Sequence, residues 1–437
     1  MRPEQAVTRH SHAQPLREGF TTGTAATGAA LAALILLCEG RAPHTVRVPL
    51  PPFTPPPHGQ KAVFAGSCPN KWRLLPVACC APGLAPELGD RRVTPHAAHA
   101  AQESPGASQC RIAHACVRKD GGDDPDATSG ALITATVVFR GADFATDAGS
   151  QVPIVRQDPG AEPRHRPEEP GFVQIEGGPG VGRVTLPGLP VPVGRAAINP
   201  VPQEQIRFAL SLYAAERAPL RCPPLLVIVS VPQGREIARR TFNPRLGIVG
   251  GISILGTQGT VRPFSHAAWR ATIEQGLSVA LATGCRTVCL TTGRRSEKLL
   301  MARYPQLAPQ SFVQVADFAR FSLRAAGSLP FSRILWGCFF GKLVKLAQGH
   351  ASTHARDAAL DMADLAEICA RQGLACAGDV ARCVTAAHAL EHILADPAGP
   401  AALTAVGRRA ARTARNFAGR PVGLHLFHTD GRELLAL

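Results

Sequence analysis

Aromatic side chains are scarce: Phe, Tyr and Trp make up 5% of the 437 residues, with two Tyr and three Trp. A platform that stacks successive bases of single-stranded nucleic acid needs more rings than this. Acidic residues are outnumbered, 32 Asp and Glu against 47 Lys and Arg. The apolar run Gly28–Leu37 (GAALAALILL) is half the length of the roughly 20 residues that cross a bilayer. The first nineteen residues are polar, so no secretory signal is expected. The 13 cysteines show no paired CxxC framework; Cys285, Cys289, Cys369, Cys376 and Cys383 sit singly in Ala- and Leu-rich segments and read as small buried apolar residues. These absences predict a cytoplasmic chain without a disulfide framework, without a membrane or nucleic-acid partner, and without a metal site.

Glycine, proline and arginine are plentiful, at 42 Gly and 39 Pro, and the formal net charge is +15. Two readings of the charge stand side by side: an Ala/Arg/Pro/Gly composition bias, or an anionic ligand such as a polycarboxylate or phosphate. Arg408, Arg412 and Arg415 recur at helical spacing, as on a solvated helix face. A chain this long exceeds one ordinary core. The reading is a leader over 1–15, an α+β domain over 16–217 and an α/β domain over 218–437, with RAPLRCPP (Arg217–Pro224) as the boundary. Within the first domain, Pro51–Arg118 lacks periodicity and reads as an insertion or a poorly ordered loop. His96, His99, His114, Cys110 and Cys116 fall in it, without metal-ligand spacing.

Five stretches carry chemistry. From Leu16 a turn leads into a helix predicted to stop at Gly40; Thr21, Thr22 or Thr24 can cap it, and the hydroxyls and free N–H groups of this start, Gly23 included, fit either a plain cap or an anion site. Lys119 precedes Asp120, Asp123, Asp124 and Asp126, which repel one another unless compensated; the loop is an exposed acidic turn or a ligand-positioning loop. Gly177, Gly178, Gly180 and Gly182 resemble a phosphate loop, yet lack a strand–loop–helix setting before Arg183. Asn199-Pro200 then opens a helix. The segment Thr241–Gly259 (TFNPRLGIVGGISILGTQG) places Asn243, Arg245, Gly250, Gly251 and Thr257 among five glycines, where the backbone turns sharply or meets a ligand closely.

Beyond Leu225 the strands and helices alternate as in a parallel-sheet domain. After Gly341, Lys342 stands at a helix start and shares a face with Lys345. His350 and His354 are four apart, but Ala351 replaces the Glu of a zinc-protease motif.

TTGTAATGAALAAL, KDGGDDPDATSGALI, GGPGVGRVTLPGLPVPVGRAAINPVP, TFNPRLGIVGGISILGTQGTVRPFS and GKLVKLAQGHASTH occur in this order. Together they resemble the cobalt-precorrin-5B C1-methyltransferases of anaerobic cobalamin biosynthesis, the CbiD family, over Leu16 to about Ala366 apart from Pro51–Arg118. The resemblance implies methyl transfer from S-adenosylmethionine to C1 of cobalt-precorrin-5B, giving cobalt-precorrin-6A, with cobalt present only in the substrate. It gives a use to Arg183, Arg195, Arg245, Lys342 and Lys345 as anchors for substrate carboxylates. Asp120, Asp123, Asp124 and Asp126 would balance the sulfonium or bind ligand hydroxyls. The remaining candidates are Thr21, Thr22, Gly23, Lys119, Gly178, Gly180, Gly182, Asn199, Asn243, Gly250, Gly251, Thr257 and His354; no catalytic residue is assigned.

The expected fold is an α+β N-terminal domain and a three-layer α/β/α C-terminal domain with a parallel sheet. The active site is expected between them, and a homodimer is possible. The loop TTGRRSEK (Thr291–Lys298) and Ala316-Asp317, in place of Gly-Asp, depart from the commoner family pattern. The alternative reading is a non-enzymatic corrinoid- or tetrapyrrole-binding protein, which would not bind the methyl donor.

Overall fold

The computed structural model describes residues 16–53, 71–88, 112–139, 144–145, 154–155, 172–217 and 223–437. The leader 1–15, His96, His99 and Cys110 lie outside them. The architecture is mixed α/β, and the chain divides into two compact units. One comprises Met1–Val184, Gly194–Pro244 and Ile248–Ser265; the other comprises Thr185–Val193, Arg245–Gly247 and His266–Leu437.

The first unit is built around the helix Thr22–Glu39. Its first thirteen residues are all buried, because alanine, glycine and threonine on every side let other elements approach closely. It ends where Gly40 takes φ 68° and its N–H bonds to Leu36 O at 2.9 Å, a left-handed cap that glycine adopts without strain. Among the described residues it is the one helix long and apolar enough to cross a membrane, and 72% of it is packed inside the protein. It packs with the helix Pro200–Glu216 and against a five-stranded sheet ordered Cys79–Pro82, Ile112–Arg118, Leu132–Phe139, Leu225–Ser230, Val173–Gly177. Neighbouring strands are antiparallel except the last pair. Strand alternation divides the apolar residues between two cores. Ile133, Ala135 and Val137 meet the main core, whereas Val138, Leu226 and Ile228 join Ala85 and Leu88 in a small one.

Three expectations need correction. Leu225–Ser230, read as the first strand of the second domain, pairs with Leu132–Phe139 and Val173–Gly177 in this unit, so the boundary expected at Arg217–Pro224 falls inside it. Its unbroken apolar run predicts burial on both faces but does not say in which sheet. Pro51–Arg118 is not loop throughout: Trp72–Pro76 pairs with Thr45–Pro49, and Cys79–Pro82 and Ile112–Arg118 are sheet strands. Finally, Cys79 and Cys116 stand opposite each other across that antiparallel pair, Cα–Cα 5.1 Å, and form a disulfide where none was expected. Their 37-residue separation hid a neighbour relation that only strand pairing creates. Cys289, Cys369 and Cys383 are free and buried as read, while Cys285 and Cys376 are half-buried.

The second unit holds a sheet ordered Phe312–Gln314, Thr287–Thr291, Arg333–Phe339, Gly423–Phe427, Glu433–Ala436. The first four strands are parallel and the last is antiparallel. Val288, Leu290, Ile334, Trp336 and Leu424 enter the larger core, with Leu323 of the helix Ala319–Gly327. Cys289, Leu335 and Phe427 face the other way, toward Leu300 of the helix Arg294–Arg303. The two crossover helices that follow the first two strands therefore cover opposite faces. The chain starts in the second position of the sheet, steps to the edge, then crosses back over its starting strand. That reversal opens a crevice outside the carboxyl ends of Thr287–Thr291 and Arg333–Phe339.

Candidate active site

The crevice at the strand reversal is a cavity of 580 Å³. Thr292, Gly293, Arg294, Arg295 and Ser296 line it from the end of the first strand, and Phe339, Gly341, Lys342 and Lys345 from the end of the third. Two helices begin there, Arg294–Arg303 and Phe340–Ala347, and neither has a side-chain cap, so their first-turn N–H groups have no capping side chain. A short segment after the second helix supplies Thr353, Ala355 and Leu360.

The cations of this crevice are held unequally. Lys342 pairs with Asp317 and also donates to Thr353 O at 3.1 Å. Lys345 is buried and donates to the same carbonyl at 3.1 Å. Burial and the neighbouring Lys342 charge hold its ammonium below the usual lysine range, against the pull of Asp317 and Asp357. Asp317 also accepts from Thr353 Oγ1 at 3.0 Å, so one carboxylate orders Lys342 and the Thr353 segment, whose carbonyl in turn holds Lys345. Arg295 donates to Thr429 O at 2.8 Å and lies 5.4 Å over the Phe339 ring. Arg245 pairs with the buried Glu297, which also accepts from Gln314 Nε2 at 2.6 Å. Burial, then the nearby Arg294 charge, lowers the Arg245 pKa. Arg294 itself is exposed and has no carboxylate partner among the described residues. The wall therefore presents Arg294, Arg295, Lys342 and Lys345 with Asp317 as the adjoining anion, an arrangement suited to carboxylate or phosphate oxygens.

A second recess, of 390 Å³, belongs to the first unit. Arg183 and Arg195, both expected as anchors, line it together with Arg207, Gln203 and Glu176. Arg183 donates to Gly194 O, and Arg207 to Gln203 Oε1 at 3.2 Å. Burial lowers the Arg207 pKa. Sequence reasoning missed Arg207, although Gln203 and Arg207 are four apart on one helix face.

Most of the other expected residues are committed to the protein itself. Gly23 N donates to Leu255 O at 3.1 Å, Thr22 Oγ1 accepts from Leu255 N at 2.9 Å, and Thr24 Oγ1 donates to Gly259 O at 2.8 Å. Thr21 caps the helix by accepting from Thr24 N at 3.2 Å. The threonine-rich helix start is thus a clamp on the loop 253–259. Lys119 is 2% exposed and meets Asp126 at 2.5 Å. Burial pushes the Asp126 pKa up, but Lys119 and two Thr128 hydrogen bonds outweigh it and leave the carboxyl below its usual range. Asp120 pairs with Arg17, whose hydrogen bond is the first cause of its lowered pKa. Asp123 accepts from Arg17 N at 2.6 Å, and Asp124 from Phe264 N at 2.9 Å.

The glycines pack backbone on backbone. Gly180, at φ 76°, stands opposite Gly251 in a short parallel pair, where a Cβ on either residue would strike main chain. Gly178 packs beside Ile228, and Gly182 N donates to Ile252 O at 2.9 Å. Asn243 is buried, donates to Gly251 O at 3.2 Å and accepts from Ser253 Oγ at 3.4 Å. Asn199 makes no side-chain cap; its N–H donates to Ile254 O at 2.9 Å. Gly250 and Thr257 are exposed. His354 is exposed too, and is not among the residues lining the crevice, although its neighbours Thr353 and Ala355 are. The sequence reading named the loop Thr291–Lys298 and Ala316-Asp317 only as departures from the family pattern and did not count Arg294, Glu297, Asp317 or Thr353 as site candidates; the signal for Arg294 was an Arg-Arg pair directly after a strand-ending glycine.

Comparison with known proteins points one way. The CbiD family model matches residues 9–57 and 99–263, and the model of the CbiD C-terminal domain matches 352–436. A cobalt-precorrin-5B C(1)-methyltransferase of Nitratidesulfovibrio vulgaris is 46% identical over 423 residues, 96% of this chain and 92% of that protein. One of the same name from Geobacillus kaustophilus is 40% identical over 360 residues, 82% of this chain and 77% of its own length. A crystal structure of a cobalamin biosynthesis protein (cbiD) from Archaeoglobus fulgidus is 21% identical, covers 75% of this chain and 78% of that one, and aligns at a TM-score of 0.33, which transfers no residue roles.

Proposed function

Because the chain belongs to the CbiD family, we propose that it is a cobalt-precorrin-5B C(1)-methyltransferase of the cytoplasm. In this reading S-adenosylmethionine supplies the methyl group to C1 of the corrin precursor, giving cobalt-precorrin-6A. The observation that carries the residue-level reading is the cation-rich crevice at the strand reversal. The substrate is rich in acetate and propionate groups, and Arg294, Arg295, Lys342 and Lys345 offer partners to carboxylates of this kind.

Methyl transfer to carbon breaks the sulfur–methyl bond as the carbon–methyl bond forms. The electron pair passes from the ring carbon to the methyl group, and the bonding pair returns to sulfur as a neutral thioether. No side-chain nucleophile is needed, so in-line placement of the two ligands supplies much of the rate. The protein's part is to hold carboxylates at fixed points. Asp317 serves by orienting Lys342 and the Thr353 segment, and the recess of Arg183, Arg195 and Arg207 offers further carboxylate anchors.

The test is calorimetric titration of the full chain with S-adenosylhomocysteine and, separately, with the corrinoid substrate, alongside a methylation assay. Lys342→Ala should weaken corrinoid binding by about tenfold and leave S-adenosylhomocysteine binding within about twofold, as expected for one lost charged hydrogen bond. The reverse pattern would give the crevice to the carboxylate of the methyl donor. Equal loss of both would remove Lys342 as a ligand anchor. A folded protein that binds corrinoid but neither binds S-adenosylhomocysteine nor methylates would be the non-enzymatic tetrapyrrole binder.

A further inference from the structure

The helix Ala386–Ala395 carries His388 and His392 one turn apart, at the i, i+4 spacing that puts two side chains on one face. Their Nε2 atoms lie 3.2 Å apart and the ring centroids 4.8 Å apart. Cys383, three residues before the helix begins, brings its thiol to the same point: the sulfur and the two imidazole nitrogens all lie within 4.8 Å of one another. None of the three lines the crevice or the arginine recess.

We propose that Cys383, His388 and His392 form a binding site for one divalent transition ion of the zinc class, separate from the cobalt of the substrate. Two nitrogens bound at about 2.0–2.1 Å to a tetrahedral ion are separated by about 3.3 Å, close to the spacing of this pair. A nitrogen and a sulfur on the same ion sit about 3.6 Å apart, so closing the thiolate onto it takes a shift of roughly an ångström. Cys383 is 6% exposed and its thiol donates to Asp379 O at 3.3 Å, so ligation exchanges that one hydrogen bond for the metal–sulfur bond. Thr385 caps the helix by accepting from His388 N at 3.2 Å, which fixes the turn between the thiol and the imidazoles.

One imidazole donates its Nε2 hydrogen to the Nε2 of the other. Binding replaces that hydrogen bond with two metal–nitrogen bonds and one metal–sulfur bond; the donor imidazole gives up its Nε2 hydrogen and takes one up at Nδ1 by exchange with water, so the net release is the thiol proton. Three protein ligands leave a fourth position for water, since His388 is exposed. One thiolate and two imidazoles select Zn²⁺ or Co²⁺ over Mg²⁺ or Ca²⁺. The ion would act as a clip, fastening the segment Cys383–Thr385 to the helix behind it.

The test uses the full-length protein, stripped of metal and titrated with Co²⁺ while absorption is recorded. The expected result is one equivalent bound with visible bands of tetrahedral strength and a near-ultraviolet thiolate-to-cobalt band, all bleached by Zn²⁺ and untouched by excess Mg²⁺. Cys383→Ser should abolish the near-ultraviolet band. His388→Ala and His392→Ala should each raise the Co²⁺ dissociation constant by at least about tenfold, since loss of an outer-shell partner alone costs that much. Both histidine positions are solvent-accessible, so unchanged melting of the ion-free variants separates lost ligation from lost fold. A wild-type titration without the thiolate band, or a band that survives Cys383→Ser, overturns the proposal.

Discussion

The acidic loop Asp120–Asp126 and the cationic loop Thr292–Ser296 are the two most charged turns singled out in the chain, and they resolve in opposite ways. In the acidic loop each carboxylate has a partner: Arg17 for Asp120 and Asp123, the Phe264 N–H for Asp124, and Lys119 with Thr128 for Asp126. In the cationic loop Arg294 has no carboxylate among the described residues, and two uncapped helix starts open beside it. Density of charge in the sequence is thus a poor guide to a ligand. What marks a site is charge that the fold has left without an internal partner.

Cutting one partner out of the satisfied loop should have the largest effect. Asp126→Ala leaves the Lys119 ammonium buried without its anion, which should cost about 3–5 kcal/mol of stability in urea melts. A cost below about 1 kcal/mol would mean that the pair is not closed to water. The same carboxylate sets a pH signature. Its folded pKa lies below the ordinary value near 3.9, so its contribution is fully present above that pH and is lost as pH falls through the folded value. The acid limb of stability should flatten in Asp126→Asn relative to wild type.

The unsatisfied loop should behave the other way. Arg294→Ala should lower kcat/KM by about tenfold, mainly through KM, while stability stays within about 0.5 kcal/mol. A drop in stability with unchanged kinetics would class it with the acidic loop. The smallest effect is expected beside the crevice, at Ala316, which holds φ 48° in the left-handed region just before Asp317. Alanine pays a steric penalty there that glycine avoids. Ala316→Gly should therefore stabilise the protein by up to about 1 kcal/mol; a loss of stability would show that the strain is not at this residue.

Much of this was legible from the chain. The helix start at Thr22, its stop at Gly40, the helix opening at Asn199-Pro200 and the parallel-sheet character of the C-terminal half follow from capping residues and periodicity, which act locally. Lys342 and Lys345 were readable as cations at a helix start. What could not be read is anything that depends on pairing across long separations. Leu225–Ser230 looks the same whichever sheet it joins, and the Cys79–Cys116 bond exists because two strands happen to be neighbours. The threonine hydroxyls and the loop glycines looked like ligand groups because the sequence shows a donor but not its acceptor. Once Leu255 and Gly259 supply those acceptors, the same residues become internal fastenings. Arg207 escaped because it stands in no conspicuous motif; Asp317 was noted only as part of a departure from the family pattern, and only the fold aims it at Lys342.

The threonine clamp also bears on how this chain is made. Thr22 and Thr24 reach partners 231 to 235 residues away, so the N-terminal helix leaves the ribosome long before the segment that closes it has been translated. At roughly 5–20 residues per second, that interval is about 12–47 s. Throughout it, a helix dominated by alanine and leucine has no lid over its first turn. Slower synthesis lengthens that exposure in direct proportion.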